Sequence, residues 1–265
     1  RLRCDWSSDV CSSDLIEAGA AKQEEFNKIL ELVKSQVDAD AEWAETQPDP
    51  DSNDSLKNVY NTVVPKDTPE SSPNSGDKIV LVDAINHALD EELTHNDKMM
   101  IYGQDVAGGK GGVFTATRGL TNKHGIDRVF NSPLAESSII GTAIGLATLG
   151  YKPVVEIQFG DYIWYGMMQI RNEVATMLYR SNGDWSCPIV IRVPIGGYIH
   201  GSLCHSQCIE GFFAHLPGIY IAYPSNAADG KGLLKMACRM DDPVMFMEHK
   251  GLYRQIGRAS GRDRV

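Results

Sequence analysis

From Lys78 onward, short apolar and β-branched runs alternate with stretches whose apolar positions recur every three or four residues, as strands interleaved with helices require. The runs predict strands over 79–82, 99–103, 129–131, 153–159, 189–193, 219–223 and 244–248. The periodic stretches predict helices over 84–93, 137–149, 162–180 and 227–239, with a long irregular loop from 194 to 218. Strands spaced by helices in this way predict an α/β fold, a mainly parallel sheet with helices on both faces. Such a sheet takes its ligands at the carboxyl ends of its strands. Upstream, Phe26, Ile29, Leu30, Val33 and Val37 recur at helical spacing and predict one amphipathic helix over 16–38. Residues 39–77 are rich in Asp, Asn, Ser and Pro, too polar to bury a core, and read as a linker. The domain proper is expected over 78–254.

Composition narrows the function classes. A net charge of −10 leaves no basic excess to displace counterions from a duplex, which argues against a nucleic-acid partner. There is no apolar run of membrane-spanning length, and none of the six cysteines forms a C-x-x-C pair, so no membrane partner is expected and reduced thiols are. The ends read differently from the rest. DWSSDVCSSDL at residues 5–15 and IGRASGRDRV at 256–265 resemble translated sequencing adapters, so segments 1–15 and 255–265 are expected to be foreign to the protein and are set aside.

Two places could carry chemistry. Glu136 falls between a strand and a Gly/Ala-rich helix, beside Leu134, Ile139 and Ile140, which suits a carboxyl to proton exchange. An ordinary acidic residue at a helix start fits the same position. The loop PIGGYIHGSLCHSQC, residues 194–208, carries His200, His205, Cys204 and Cys208. His205 reads as an acid–base residue or as a plain polar loop histidine; a zinc site, and with it a non-catalytic metal-binding module, is the reading from another class, although the ligand spacing is poor. GGKGG at 108–112 lacks the G-x-x-x-x-G-K-[ST] pattern and reads as a flexible surface loop rather than a phosphate cradle. Tyr162, Trp164, Tyr165, Met167 and Met168 form an aromatic and methionine run of the kind that more often packs a core or a subunit interface.

Taken in order, VDAINHALDEEL, NSPLAESSIIGTAIGLA, EIQFGDYI, LYRS, HGSLCHSQ, GFFAHLPG and GLYRQ resemble the beta subunit of branched-chain 2-oxoacid dehydrogenases. The resemblance covers about 78–254. The pyruvate dehydrogenase beta subunit is similar in DAIN, HSQC and LPG, and a transketolase-like enzyme is a more distant alternative. EIQF followed by DYI, together with HG-x-L-x-HSQ and FFAH, favours the branched-chain enzyme.

The resemblance implies a transketolase-like pyrimidine-binding fold holding the aminopyrimidine end of thiamine diphosphate. Glu136 then corresponds to the glutamate that bonds the pyrimidine ring nitrogen and exchanges a proton there. Leu134, Gln158 and Tyr162 correspond to the pyrimidine-pocket lining, and His205 to the histidine that orients substrate and delivers protons during acyl transfer to lipoamide. A structural potassium site corresponds to Ile189, Val190, Ala237, Met240 and Asp242, with Met240 replacing the usual aspartate and Asp242 the usual asparagine. The family's GDG motif for magnesium and diphosphate does not occur in the sequence, so magnesium is expected on an alpha part. The helix over 16–38 resembles the end of such an alpha part, which implies a fused alpha-beta parent, with a simple N-terminal extension on a beta subunit as the alternative; without the diphosphate-binding half, this piece alone is expected to be inactive. The implied partners are the alpha part, a second copy of this chain and a lipoyl-bearing acyltransferase. The implied location is the cytoplasm of a bacterium or the mitochondrial matrix of a eukaryote.

Overall fold

A computed structural model describes residues 14–63, 78–199 and 201–258. The chain divides into two compact units, residues 1–55 and 56–265. The first contains α1, Gln23–Glu45, whose apolar residues Ile29, Leu30, Val33 and Val37 are exposed. α1 continues past the expected end at Asp38 because Ala39, Ala41, Trp43 and Ala44 are acceptable helix residues and the first proline comes only at Pro48. Among the described residues, no helix is long and apolar enough to cross a membrane.

The second unit is built on six parallel strands: β2 (Met99–Gly103), β3 (Val129–Asn131), β4 (Lys152–Glu156), β5 (Val190–Ile195), β6 (Tyr220–Ala222) and β7 (Val244–His249). They lie in the order β3-β2-β4-β5-β7-β6. A separate antiparallel pair joins β1 (Lys78–Val80) to β8 (Ile256–Arg258), so residues 256–258, set aside in the sequence, pair through the main chain. Within the sheet, the period of two sorts side chains to opposite faces. Val155, Ile191, Val193, Met245 and Met247 enter one core cluster; Val154, Val190, Val244 and Phe246 enter the other.

Helices seal both clusters. α2, Leu81–His95, buries Leu81, Ile85, Ala88 and Leu89 at helical spacing, beginning three residues earlier than the pattern implied. α4, Ala227–Arg239, packs against it, capped by the Asn226 side chain, which accepts from Asp229 N at 3.0 Å. The contact depends on Gly230, where a Cβ would stand 2.3 Å from Leu81 Cδ1. On the other face, α3, Glu136–Thr148, inserts Ile139, Ile140 and Ala143. The helix expected over 162–180 is segmented instead: a 3-10 turn over Gly160–Gly166, a short α turn, a π turn over Ile170–Val174 and a last α turn over Met177–Arg180. Gly166 sits close against α3, since a Cβ there would be 3.1 Å from Ile140 Cγ1 and 3.4 Å from the Glu136 carbonyl.

The polar stretch read as a linker is in part attached to this unit. Asn61 donates from N and Nδ2 to Asp242 Oδ1, both at 2.9 Å, and Tyr60 packs on Tyr220 with ring centroids 4.8 Å apart. Residues 64–77 of the expected linker lie outside the described residues.

Candidate active site

The strand order reverses between β2 and β4: from β2 the chain moves outward to β3, then returns to β4 and proceeds the other way. A crevice opens at the carboxyl ends of two strands that diverge like this. Gln104 directly follows β2, and Gln158 lies two residues beyond β4; the Gln158 amide donates to Gln104 O across the gap at 3.4 Å. Gln104 Nε2 in turn donates to Glu136 Oε1 at 3.3 Å. Glu136 opens α3, where the helix dipole favours a carboxylate, and only 9% of it is exposed. Leu134, Glu136, Gln158 and Tyr162, named from sequence, line one cavity of about 550 Å³, together with Gln104 and Tyr165.

The lining suits a flat heteroaromatic ring. Leu134, Tyr162 and Tyr165 offer apolar faces, while Glu136 and the two glutamine amides offer hydrogen bonds at a ring edge. The cavity is open on one side, since Leu134 is 82% and Tyr165 75% exposed. An aminopyrimidine fits this donor and acceptor set.

His205 is delivered to the same place by the loop after β5. Its Nε2 lies 2.8 Å from the Tyr162 hydroxyl oxygen, and Phe159 packs edge-on against its ring, with centroids 4.4 Å apart. Burial first, and the proximity of Cys204, Asp161 and Glu136 next, raise the Tyr162 pKa above its ordinary value, so the phenol keeps its proton and can donate it to the imidazole. The His205 backbone has φ +75°, and Ser202 has φ 60°, left-handed conformations that cost energy in non-glycine residues and gather at functional loops. His205 Nδ1 is buried without a hydrogen-bond partner among the described residues.

The metal reading of this loop finds no ligand set. Among the described residues no group of three or more His, Cys, Asp or Glu side chains is placed to hold a metal. Cys204 and Cys208 are exposed free thiols, and His200 lies outside the described residues. The GGKGG segment differs from a loose surface loop: Gly111 and Gly112 are buried, and Gly112, at φ +77°, passes so close to Glu156 that a Cβ would meet Oε1 at 3.0 Å.

Sequence reasoning missed three features. Gln104 and Tyr165 complete the cavity; Gln104 could have been found as the first residue past a strand bordering the reversal. Lys250, at the end of β7, places its buried Nζ 5.5 Å over the Phe159 ring without a hydrogen-bond partner among the described residues. Burial lowers its pKa to about 8 against the opposing pull of Asp161 and Cys208. Beneath the cavity, Arg192 is wholly buried and bidentate on Glu248 (2.7 and 2.9 Å), with a third bond to Glu156 at 2.8 Å. Burial raises the Glu156 carboxyl even though Arg192 pulls it down.

The positions matched to potassium are engaged in hydrogen bonds within the chain. Ile189 O accepts from Val244 N at 2.9 Å, and Val190 is paired in the sheet between Val154 and Val244. Met240 O accepts from Lys152 Nζ at 2.7 Å, Asp242 Oδ1 takes both bonds from Asn61, and Ala237 is buried within α4. The Ile189 and Met240 carbonyls and the Asp242 side chain thus each already accept a hydrogen bond within the chain.

Residues 77–255 match the family model described as "Transketolase, pyrimidine binding domain". Over 175 residues the chain is 52% identical to the 2-oxoisovalerate dehydrogenase subunit beta of Bacillus subtilis, covering 66% of this chain and 53% of that one. It is 45% identical over 179 residues to the pyruvate dehydrogenase E1 component subunit beta of the same organism, covering 68% and 55%. The chain thus spans about half the length of the curated relatives it matches. Among solved structures it is similar to a "Split gene transketolase, inactive beta4 tetramer", with TM-score 0.51 and 24% identity over 64% of this chain and 50% of that one. That likeness supports the fold alone.

Proposed function

This chain belongs to the transketolase pyrimidine-binding domain family through residues 77–255, and from that membership we propose that it is the pyrimidine-binding beta part of a branched-chain 2-oxoacid dehydrogenase. The observation that carries the reading is the single cavity in which Glu136, Gln104, Gln158 and Tyr162 meet at the strand-order reversal, with His205 hydrogen-bonded to its wall. Greater identity with the branched-chain relative than with the pyruvate relative favours the branched-chain substrate.

Thiamine diphosphate bound there would supply the electron sink through which a 2-oxo acid loses carbon dioxide. Glu136 would hold a ring nitrogen of the pyrimidine and exchange a proton at its Oε atoms, oriented by Gln104. Tyr162 and Leu134 would set the plane of the ring, and Gln158 would bond its edge. His205, fixed by Tyr162 and Phe159, would orient the substrate and move protons while the acyl group passes to lipoamide. Magnesium and the diphosphate would be gripped by an alpha part, since the chain has no GDG motif. The open side, marked by Leu134 and Tyr165, suits closure by that part. A second copy of this chain and a lipoyl-bearing acyltransferase complete the proposed assembly, in a bacterial cytoplasm or a mitochondrial matrix.

Carbon dioxide release by the chain assembled with its alpha part, measured with thiamine diphosphate, magnesium and a lipoyl acceptor, tests this. The assembly is expected to favour 2-oxoisovalerate over pyruvate, and the chain alone to turn over neither. Preference for pyruvate would overturn the branched-chain assignment, and turnover by the isolated chain would overturn the shared site.

A further inference from the structure

Lys152 opens β4 and is almost fully buried, 5% exposed, at the amino-terminal end of the sheet. Its main chain is tied to the neighbouring strand segment through Lys152 N to Lys98 O at 3.0 Å. Its side chain runs toward the end of α4 and donates to the carbonyl of Met240, the C-cap residue, at 2.7 Å. A helix carboxyl terminus carries partial negative charge, so an ammonium is favoured there. Burial lowers the Lys152 pKa to about 8 against the opposing pull of Cys238, Asp241, Cys187 and Asp242. Asp242 is itself fixed by two hydrogen bonds from Asn61.

A structural monovalent cation works by drawing together carbonyls and carboxylates from separate segments that would otherwise face one another unsatisfied. At this place in the fold, one end of a strand, one helix terminus and an acidic turn converge, and the charge that joins them is covalently part of the chain. We propose that the Lys152 ammonium takes the place of a structural potassium ion by bonding the Met240 carbonyl at the end of α4, so that this domain folds without a bound monovalent cation.

Two features distinguish this from an ordinary buried lysine. Met240 and Asp242 are positions at which the family pattern puts cation ligands, and here Met240 replaces the usual aspartate and Asp242 the usual asparagine. Lys152 reaches that carbonyl from a different element, linking β4 to α4 as an ion would. Without its donor, the Met240 carbonyl would lose a charge-assisted bond and stand partly buried without a partner.

The test compares thermal unfolding of the full chain in potassium chloride and in choline chloride at equal ionic strength. It is combined with elemental analysis of the protein after dialysis against potassium-free buffer. The unfolding midpoints should coincide, and the dialysed protein should retain far less than one equivalent of potassium. Lys152→Met, which keeps the length of the side chain and removes its charge, should lower the midpoint by roughly 5 °C or more, whereas Lys152→Arg should lose much less. A wild-type midpoint raised by potassium, or stoichiometric retained potassium, would overturn the proposal even if Lys152→Met fails to fold. So would a Lys152→Met protein as stable as the wild type.

Discussion

The hydroxyl oxygen of Tyr162 lies 2.8 Å from Nε2 of His205, which couples the wall of the candidate cavity to the loop after β5. Tyr162 belongs to the 3-10 turn that follows β4, and His205 to a loop of left-handed residues. Neither segment would hold the imidazole by its own main chain. Tyr162→Phe is therefore expected to leave the cavity's apolar face intact and release His205. In the proposed dehydrogenase assembly, kcat should fall by about tenfold, the equivalent of one lost hydrogen bond, with KM changed much less. An unchanged kcat would remove this contact from the mechanism.

Arg192 predicts a stability effect. It is the only cation bonded to the buried carboxylates Glu156 and Glu248 among the described residues, and Tyr253 adds a hydroxyl donor to Glu248. Arg192→Met leaves two buried carboxylates without their cation and should cost about 3–5 kcal/mol in urea unfolding. Adding Glu156→Gln and Glu248→Gln to that variant should restore part of the loss, because no unpaired charge then remains. A loss below about 1 kcal/mol for the single variant would show that this network is not stabilising the ends of the strands.

Lys250 predicts a pH dependence. Burial lowers its folded pKa to about 8, while in the unfolded chain a lysine titrates near 10.4, about the model-peptide value. Between those values the unfolded chain binds more protons than the folded one, so stability rises with pH across about 8 to 10.4. Below about 8 the cost of burying the charge is present in full. Lys250→Met should therefore unfold at a higher temperature than the wild type at neutral pH, with the gap closing as pH climbs through that window. Parallel melting profiles for the two proteins would contradict the placement of an unpartnered ammonium over Phe159.

Much of this architecture was legible in the sequence. α4 and β3 fall at the residues that periodicity marked, because Leu234 and Val129 pack directly into the core that the apolar pattern reports. Leu134, Glu136, Gln158 and Tyr162, which the family resemblance picked out, line one cavity together. Other features depend on tertiary contacts that no window of sequence contains. In the 160–180 segment, Gly166 passes close to α3 where the 3-10 turn gives way to the next turn. Arg192, Glu156 and Glu248 lie in otherwise apolar strands, and only the sheet register, which sets Glu156 beside Arg192, reveals them as one network. The bond from Lys152 to the Met240 carbonyl spans 88 residues and likewise lies beyond any window of sequence.

The central claim, that the Glu136 carboxyl exchanges a proton with a pyrimidine ring in this cavity, is tested most directly by Glu136→Gln. This change keeps the side chain's size and its contact with Gln104. Carbon dioxide release from 2-oxoisovalerate by the variant, assembled with its alpha part, should fall by about 100-fold or more while the unfolding midpoint stays near that of the wild type. Release at a near-normal rate by the folded variant would contradict the account.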